Sequence, residues 1–375
     1  MQKKLKLDPY SYIFPFGLLS AFVGLSLWIL FKFQWVSFYP RTAHANLMYY
    51  GFLWSYIAGF LMTAIPKMTQ SKPAERWEVF CVIGLVILNW IFNIQNQILL
   101  SIYVSFFQIA FLIYFVFKRF NQNRKMPFAG FIFLPMALGI GLVGNAYEAL
   151  HFSGTTSAIY FMTAQAFILN LICGLGSRLI PALCRVPSAV SPDSFDRNKI
   201  FFELILIAVL MNVGFIFEVL EESQLSSILK FLTLVYIAIR YFKIFIPSST
   251  KTFLSLGLKI SVMMMLVGYF LGIFSTSNSL AILHLVYIGG FAAITLLVST
   301  RVTLAHGGAS LDQEIASQSI FVLTGCFVIS ALARWSLGQN IASYLLVVSI
   351  VFFLLALTIW MWKFLKILLR TQSHT

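Results

Sequence analysis

The sequence predicts an all-α integral membrane protein of about twelve transmembrane helices. Hydrophobic residues make up 60% of its 375 residues and charged residues only 10%, a composition that no soluble domain of this size could keep in water. The apolar runs are long enough to cross a bilayer, and the basic residues lie between them. The net charge of +14 therefore indicates charged loops beside a lipid bilayer, and no nucleic-acid partner is expected.

The helices follow from marking apolar runs of roughly 20 residues between charged or Pro/Gly-rich breaks. The lysines at the start resemble a signal peptide, but no convincing small-residue cleavage site follows, so the first run is predicted to be a spanning helix. The predicted helices are Tyr12–Phe31, His44–Pro66, Val79–Asn93, Gln97–Phe117, Phe128–Leu150, Ser157–Ser177, Ile200–Leu220, Leu225–Phe245, Leu254–Phe274, Leu280–Thr303, Ile320–Arg334 and Ile341–Trp362.

Loop charges predict the orientation. Short cytoplasmic loops are enriched in Lys and Arg. With the amino terminus inside, all but four of the 26 basic residues fall in cytoplasmic segments, and the four outside are Lys32, Arg41, Lys230 and Arg334. A missed helix would mix the two groups, so the pattern predicts twelve helices with both termini cytoplasmic.

The chain is predicted to be a single membrane domain over residues 1–375. The widest gap between apolar runs, Arg178 to Lys199, is too short for a second domain. No GxGxxG, GxxxxGK, HExxH or GxSxG motif of soluble enzymes is present. The four cysteines have no CxxC spacing, which favours packing over a disulfide or metal role.

Histidines near the helix ends are the first candidates for a site, since ionisable residues at membrane depth are rare. His44 and His284 lie on the predicted outer side, on different helices. Two neutral imidazoles facing each other across a bundle are what the two axial positions of a low-spin haem require. Each histidine, taken alone, is also explained by bonding to water or lipid headgroups at the interface.

Other polar residues are weaker candidates. His306 follows His284 by roughly 22 residues, about 33 Å of helix, so these two cannot share a metal. A further metal or proton site at His306, or at His151 with Glu148, competes with capping and interfacial roles. The second-tier cofactor-binding candidates are Met48, one turn after His44, and Arg178 and Arg301, which lipid phosphates explain equally well.

Three stretches resemble the NnrS family. His44-Ala-Asn-Leu-Met, with the following Gly-Phe and Gly-Phe-Leu-Met-Thr-Ala-Ile-Pro-Lys-Met-Thr, is similar to its HAHEM, GF and GFLLTAxPxWT signature. Gly176-Ser-Arg-Leu-Ile-Pro resembles the GGRxIP element. His284 with Thr300-Arg-Val-Thr-Leu-Ala-His-Gly resembles the H…TRxxLGHTGR element. The resemblance implies a bacterial inner-membrane protein that binds haem b and copper and acts in the response to nitric oxide and nitrosative stress.

The departures from those motifs bear on copper. Asn46 stands where the family has a second histidine, and Leu47 stands where it has glutamate. Ala305 replaces a glycine, and Gly308-Ala309 interrupts the terminal TGR. A copper ion that used the histidine or the glutamate would lose a ligand here, so copper is the doubtful cofactor.

A more distant resemblance is to the twelve-helix subunit I of haem-copper oxidases and nitric-oxide reductases, which holds its low-spin haem by histidines on helices two and ten. His44 and His284 lie on those helices. The predicted helices six and seven lack the histidines of the copper centre, and Ile282 precedes His284 where a second histidine would be needed. This resemblance implies one haem with two histidine ligands, and it leaves enzyme activity and the redox partner undetermined.

Two other functions are alternatives to haem binding. In a transporter, histidines and arginines would line a path for a small anion or a metal complex. No repeat of two halves or pair of broken helices favours that reading in the sequence. The third alternative is a subunit that only positions another membrane enzyme.

Overall fold

A computed structural model describes residues 8–122, 128–188, 197–275, 279–315, 317–338 and 344–369. Within these ranges the secondary structure is helical, without a strand. In the described part of the chain, twelve helices are long and apolar enough to span a membrane, which agrees with the predicted number. They are α1 Pro9–Lys32, α2 Arg41–Thr69, α3 Arg76–Ile94, α4 Ile98–Gln122, α5 Ala129–His151, α6 Ala158–Leu183, α7 Asn198–Val219, α8 Ser223–Phe242, α9 Phe253–Phe274, α10 Leu280–His306, α11 Gln318–Leu337 and α12 Leu345–Leu368.

Several helices extend beyond the apolar runs that predict them. The third begins at Arg76 rather than Val79, because Glu75 and Glu78 form a reciprocal capping box around its first turn. Likewise α11 runs from Gln318 to Leu337, since polar residues at a membrane interface continue a helix without being apolar. The predicted start of the last helix at Ile341 lies outside the described residues.

The helices alternate in direction, so the bundle has two sides. We call the side at which α2 and α10 begin the histidine side, and the side at which they end the opposite side. These two helices run the same way, because His44 and His284 line one cavity at their starts while Lys67 and His306 are in contact at their ends. The orientation of the two sides in a membrane, with both termini cytoplasmic, stays a prediction.

The two helices that carry the cavity histidines, α2 and α10, each contain a π-helical segment, and a third such segment, Ala238–Phe242, ends α8. In α2 it covers Leu47–Leu53, and in α10 it covers Leu285–Ala292, directly after His284. Widened turns of this kind are rare and are frequent at functional sites. The segment in α2 packs closely on α1, where a Cβ added to Gly51 would lie 2.7 Å from the Cβ of Ser20. Glycine thus permits the close approach of the two backbones.

Charged residues on the opposite side form ion pairs. Arg119 in α4 is buried and binds the Glu78 carboxylate of α3 through both guanidinium ends. Lys118 donates to Glu78 and to the exposed Glu75. Hydrogen bonds from the Trp77 indole and from Lys118 hold the pKa of Glu75 below its usual range. This network ties α3 to α4 at the membrane boundary.

Candidate functional site: a histidine-lined cavity

A cavity of about 400 Å³ opens between α1, α2, α6, α7, α10, α11 and α12. His44 from α2 and His284 from α10 both line it. Most of the remaining wall is aromatic or aliphatic, and its aromatic members include Trp28, Phe161 and Phe353. The structure therefore brings together two histidines that are far apart in the sequence, in surroundings that suit a flat apolar ligand.

The hydrogen bonds of the two histidines fix which ring nitrogen is free. His44 donates from Nδ1 to the Gly24 carbonyl of α1 at 2.9 Å, and His284 donates from Nδ1 to the Leu280 carbonyl at 2.7 Å. Because a carbonyl only accepts, the proton of each neutral ring resides on Nδ1. Each Nε2 then carries an unprotonated lone pair, and a backbone carbonyl on Nδ1 is the usual orienting partner of a metal-bound histidine.

Two arginines also line the cavity, and both were missed as site residues by sequence reasoning. Arg41 begins α2 and is exposed, with its guanidinium carbon 5.9 Å from the centre of the Phe161 ring. Arg334, near the end of α11, is partly buried. Within the described ranges neither takes part in an ion pair. The signal was present in the sequence, since both belong to the four basic residues that violate the predicted charge asymmetry.

The wall on the α7 side carries an acidic group. Glu218 lines the cavity and forms an ion pair with Lys230 of α8, whose side chain is 3% exposed. An ion pair this deep is neutral as a whole, so its charges compensate each other inside the bundle. Lys230, one of the four basic residues predicted to lie outside, therefore has a carboxylate partner within the bundle.

A chain of polar groups leads from the cavity wall on α2 to α9, which lies behind that wall. The rings of Tyr49 and Tyr287 lie 5.7 Å apart, edge to face. The Tyr287 hydroxyl donates to the Gln165 side chain at 3.3 Å, and Gln165 donates to the Tyr269 hydroxyl at 2.9 Å. These contacts join α2, α10, α6 and α9 next to the histidines, which restricts the positions of the helices that carry them.

The second-tier candidates separate into two groups. Met48 lines the cavity together with His44. Arg178 and Arg301 do not line it. The guanidinium of Arg178 lies 5.4 Å from the centre of the Phe128 ring, and Arg301 makes two 2.8 Å hydrogen bonds to Glu314 on the opposite side. Arg301 therefore has a protein carboxylate as its partner.

The other two histidine candidates lie apart from the cavity. His151 is exposed, stacks on Tyr147 at 4.4 Å and bonds the Tyr147 carbonyl through Nδ1. Its neighbour Glu148 accepts hydrogen bonds from the backbone and hydroxyl of Ser157, at the start of α6. His306, on the opposite side, has its Nδ1 3.0 Å from the Lys67 ammonium.

No group of three His, Cys, Asp or Glu residues that could hold a metal ion occurs in the described part of the chain. The four cysteines are free thiols, and Cys173, Cys184 and Cys326 are buried. Burial raises the pKa of the Cys184 thiol, which lies just beyond α6, so this sulfur is a poor metal ligand as it stands. The two cavity histidines therefore stay candidates for a metal-binding role.

The fold and the cavity define a multi-pass helical membrane protein with two histidines from separate helices facing a mostly apolar space. A family model described as NnrS protein matches residues 5–372, nearly the whole chain. The chain belongs to the NnrS family. No curated protein matches the sequence significantly.

Proposed function

We propose that this protein binds one haem b in the cavity, with His44 and His284 as axial ligands, and acts in the response to nitric oxide in a bacterial inner membrane. One observation carries the proposal. Two histidines from different helices line the same cavity, and each is oriented by a backbone carbonyl on Nδ1 so that its Nε2 is free. Membership of the NnrS family supports the link to nitric oxide.

The other lining residues fit this cofactor. Aromatic and aliphatic side chains match the apolar faces of a porphyrin, and Met48 adds a polarisable contact one turn from His44. The cationic Arg41 and Arg334 supply guanidinium donors for the two propionate carboxylates. When bound, haem supplies one-electron transfer. The residues of the chain bind it, neutralise its carboxylates and exclude water from its faces.

Two histidine ligands would favour electron transfer over the binding of a gas by the iron. The Gly24 carbonyl would hold the His44 ring, and the Leu280 carbonyl the His284 ring, through Nδ1. We therefore propose a redox role and assign no catalytic step. We propose no copper site, because the family histidine at position 46 is asparagine and the described residues contain no cluster of metal-ligating groups.

The optical spectrum tests the haem proposal. Reduced-minus-oxidised spectra of the detergent-purified protein should show a sharp low-spin band in the wild type. His44→Ala and His284→Ala should each lose that band, whereas His151→Ala, a matched change on the same side away from the cavity, should keep it. A wild type that stays colourless when haem is supplied during expression contradicts the proposal and favours transport of an anion or metal complex.

The nitric-oxide role needs a separate test in cells. A strain that lacks the protein is complemented with the wild type or with His44→Ala and exposed to a nitric-oxide donor. Restored growth with the wild type, and not with the variant, is the expected result. Equal growth with both would show that His44 is not needed for the response to nitric oxide. It would not affect the conclusion from the optical spectra about haem binding.

Impermeant thiol labelling tests the proposed orientation, with the histidine side outside. Ser153 lies in an exposed loop on the histidine side, and Lys72 is exposed on the opposite side. In intact spheroplasts, Ser153→Cys should react with an impermeant reagent, and Lys72→Cys should react only after the membrane is opened. The reverse result would invert the topology.

A further inference from the structure

A cluster of buried polar side chains lies behind α2, on the face turned away from the histidine cavity. It is formed by α2 to α5, and we call it the polar column. Its amide members are Asn46, Asn89, Asn93, Gln108 and Asn145, each of which is fully buried. None of them lines the cavity, so the column is a separate feature of the bundle.

The column follows helical spacing. Asn89 and Asn93 are four residues apart on α3, while Ser101, Ser105 and Gln108 occupy one face of α4. Because α4 starts at Ile98, Gln108 lies about 15 Å inside the helix at 1.5 Å per residue. The column thus extends from the histidine side to about the middle of the membrane.

The end of the column near the histidine side is hydrogen-bonded within the protein. Asn46 donates to Asn93 at 3.1 Å and to Ser101 at 3.0 Å, and Asn93 donates to Ser101 at 2.8 Å. Beside it, Asn145 donates to the Tyr50 hydroxyl at 2.8 Å. These bonds connect α2, α3, α4 and α5 through polar atoms alone.

Deeper in the column the amides lack protein partners. Both the nitrogen and the oxygen of the Asn89 and Gln108 side chains are unpaired among the described residues. The same holds for the amide oxygens of Asn46 and Asn145. An amide without a partner is expensive in hydrocarbon, and buried polar groups are nearly always satisfied. Four buried amides with unpaired atoms, on helices that pack against one another, therefore point to an occupant.

The chemistry of the column selects that occupant. Its members are neutral amides and hydroxyls, which both donate and accept hydrogen bonds but supply no charge for an ion. Water matches such groups, and buried waters typically make about three hydrogen bonds to polar atoms of this kind. We infer that the polar column holds a chain of ordered water molecules that runs from the histidine side to Gln108. This inference does not depend on haem.

The chain of water has a consequence for protons. Hydrogen-bonded water next to hydroxyl groups exchanges protons along its length, so the interior of the bundle communicates with the histidine side without a charged residue. Tyr50, which accepts a hydrogen bond from Asn145, and Tyr160, whose ring lies 5.7 Å from that of Tyr50, are titratable residues next to this path, and the buried Glu148 lies three residues after Asn145 on α5. The column is a route for water and protons that stops within the membrane.

Hydroxyl-radical labelling of the full-length protein tests the inference, because radicals generated by X-ray pulses from buried water label the nearest side chains. Tyr50 and Tyr160 should be oxidised about tenfold faster than Trp360, although all three are fully buried. Trp360 is the control because its indole donates to Thr300 and it lies outside the column. Equal, slow labelling of all three residues would overturn the inference.

Substitutions provide a second, independent test. Gln108→Leu and Asn89→Leu remove the deep amides at similar volume, and each should reduce labelling of Tyr160 and lower the melting temperature. Asn170→Leu is the control, because the Asn170 amide is already paired with Asn212. This substitution should leave the labelling of Tyr160 unchanged. If the leucine variants instead raise the melting temperature without changing the labelling, the column is dry.

Discussion

The two sides of the bundle treat their charged residues differently. On the opposite side, Arg119 is bound to Glu78 and Arg301 to Glu314, so each of these two arginines has a carboxylate of the protein as its partner. On the histidine side, Arg41 and Arg334 face the cavity without an ion-pair partner in the described ranges. Paired charges stabilise the fold, whereas cavity arginines that have no ion-pair partner are available to bind a ligand.

The Lys230–Glu218 pair shows that position alone does not decide this difference. It lies on the histidine side and lines the cavity through Glu218, yet its charges are compensated. The comparison therefore concerns partners rather than depth. Variants on each side should separate stability from ligand binding.

The largest effect is expected for Glu78→Gln. This change leaves the buried Arg119 without its carboxylate, and breaking a buried ion pair costs about 3 kcal/mol or more. Thermal unfolding of the purified protein measures it, with Glu75→Gln, at the exposed partner of Lys118, as the matched control. An unchanged melting temperature in Glu78→Gln would show that the Arg119–Glu78 ion pair does not stabilise the fold.

Arg334→Gln should have the reverse profile. It removes a cation that has no carboxylate partner in the described structure, so the unfolding free energy without haem should change by less than about 0.5 kcal/mol. Haem affinity should fall about tenfold, equivalent to about 1.4 kcal/mol. Haem titration measures this effect, and Lys32→Gln is the control because Lys32 is exposed on the same side and does not line the cavity. A large loss of stability with unchanged affinity would assign Arg334 to the fold.

Arg301→Gln should cost about 1 kcal/mol of stability, because its pair with Glu314 is partly exposed and is screened by solvent. The spectrum of bound haem should not change. Glu314→Gln should reproduce the effect if the pair is the cause. Loss of the haem band in Arg301→Gln alone would return this arginine to the cofactor site.

The smallest effect concerns pH and Glu75. Because its pKa is lowered in the folded protein, its contribution is present above the ordinary glutamate range and is lost as the pH falls through the lowered value. The wild type should therefore lose slightly more stability on acidification than Glu75→Gln. Melting temperatures measured across the acidic range test this, and parallel curves would contradict it.

The sequence was sufficient for the number of helices, and it singled out the two histidines that line the cavity, whose role as haem ligands stays a prediction. Long apolar runs predict the spans directly, and His44 and His284 stand out because histidine is rare in such runs. Loop charges predict only the orientation of the helices, so they do not identify Arg41 and Arg334 as cavity residues. That position depends on how α2 and α11 pack. Similarity to haem-copper oxidases and the single-domain assignment stay predictions.

Two further features depend on contacts between helices. The π-helical segments have no apolar periodicity of their own, and glycines such as Gly51 acquire meaning only when α1 lies against them. The polar column does show in the sequence as amides at helical spacing, for example Asn89 and Asn93. Its unpaired atoms appear only when α2, α3, α4 and α5 are assembled.

The second helix, α2, lies between the histidine cavity and the polar column. His44 faces the cavity while Asn46, two residues later, reaches Asn93 and Ser101 in the polar column. Both residues belong to the short α-helical stretch Arg41–Asn46 that begins α2. A ligand that shifted the His44 ring along the helix axis would therefore also shift the hydrogen bonds of Asn46 on the other face.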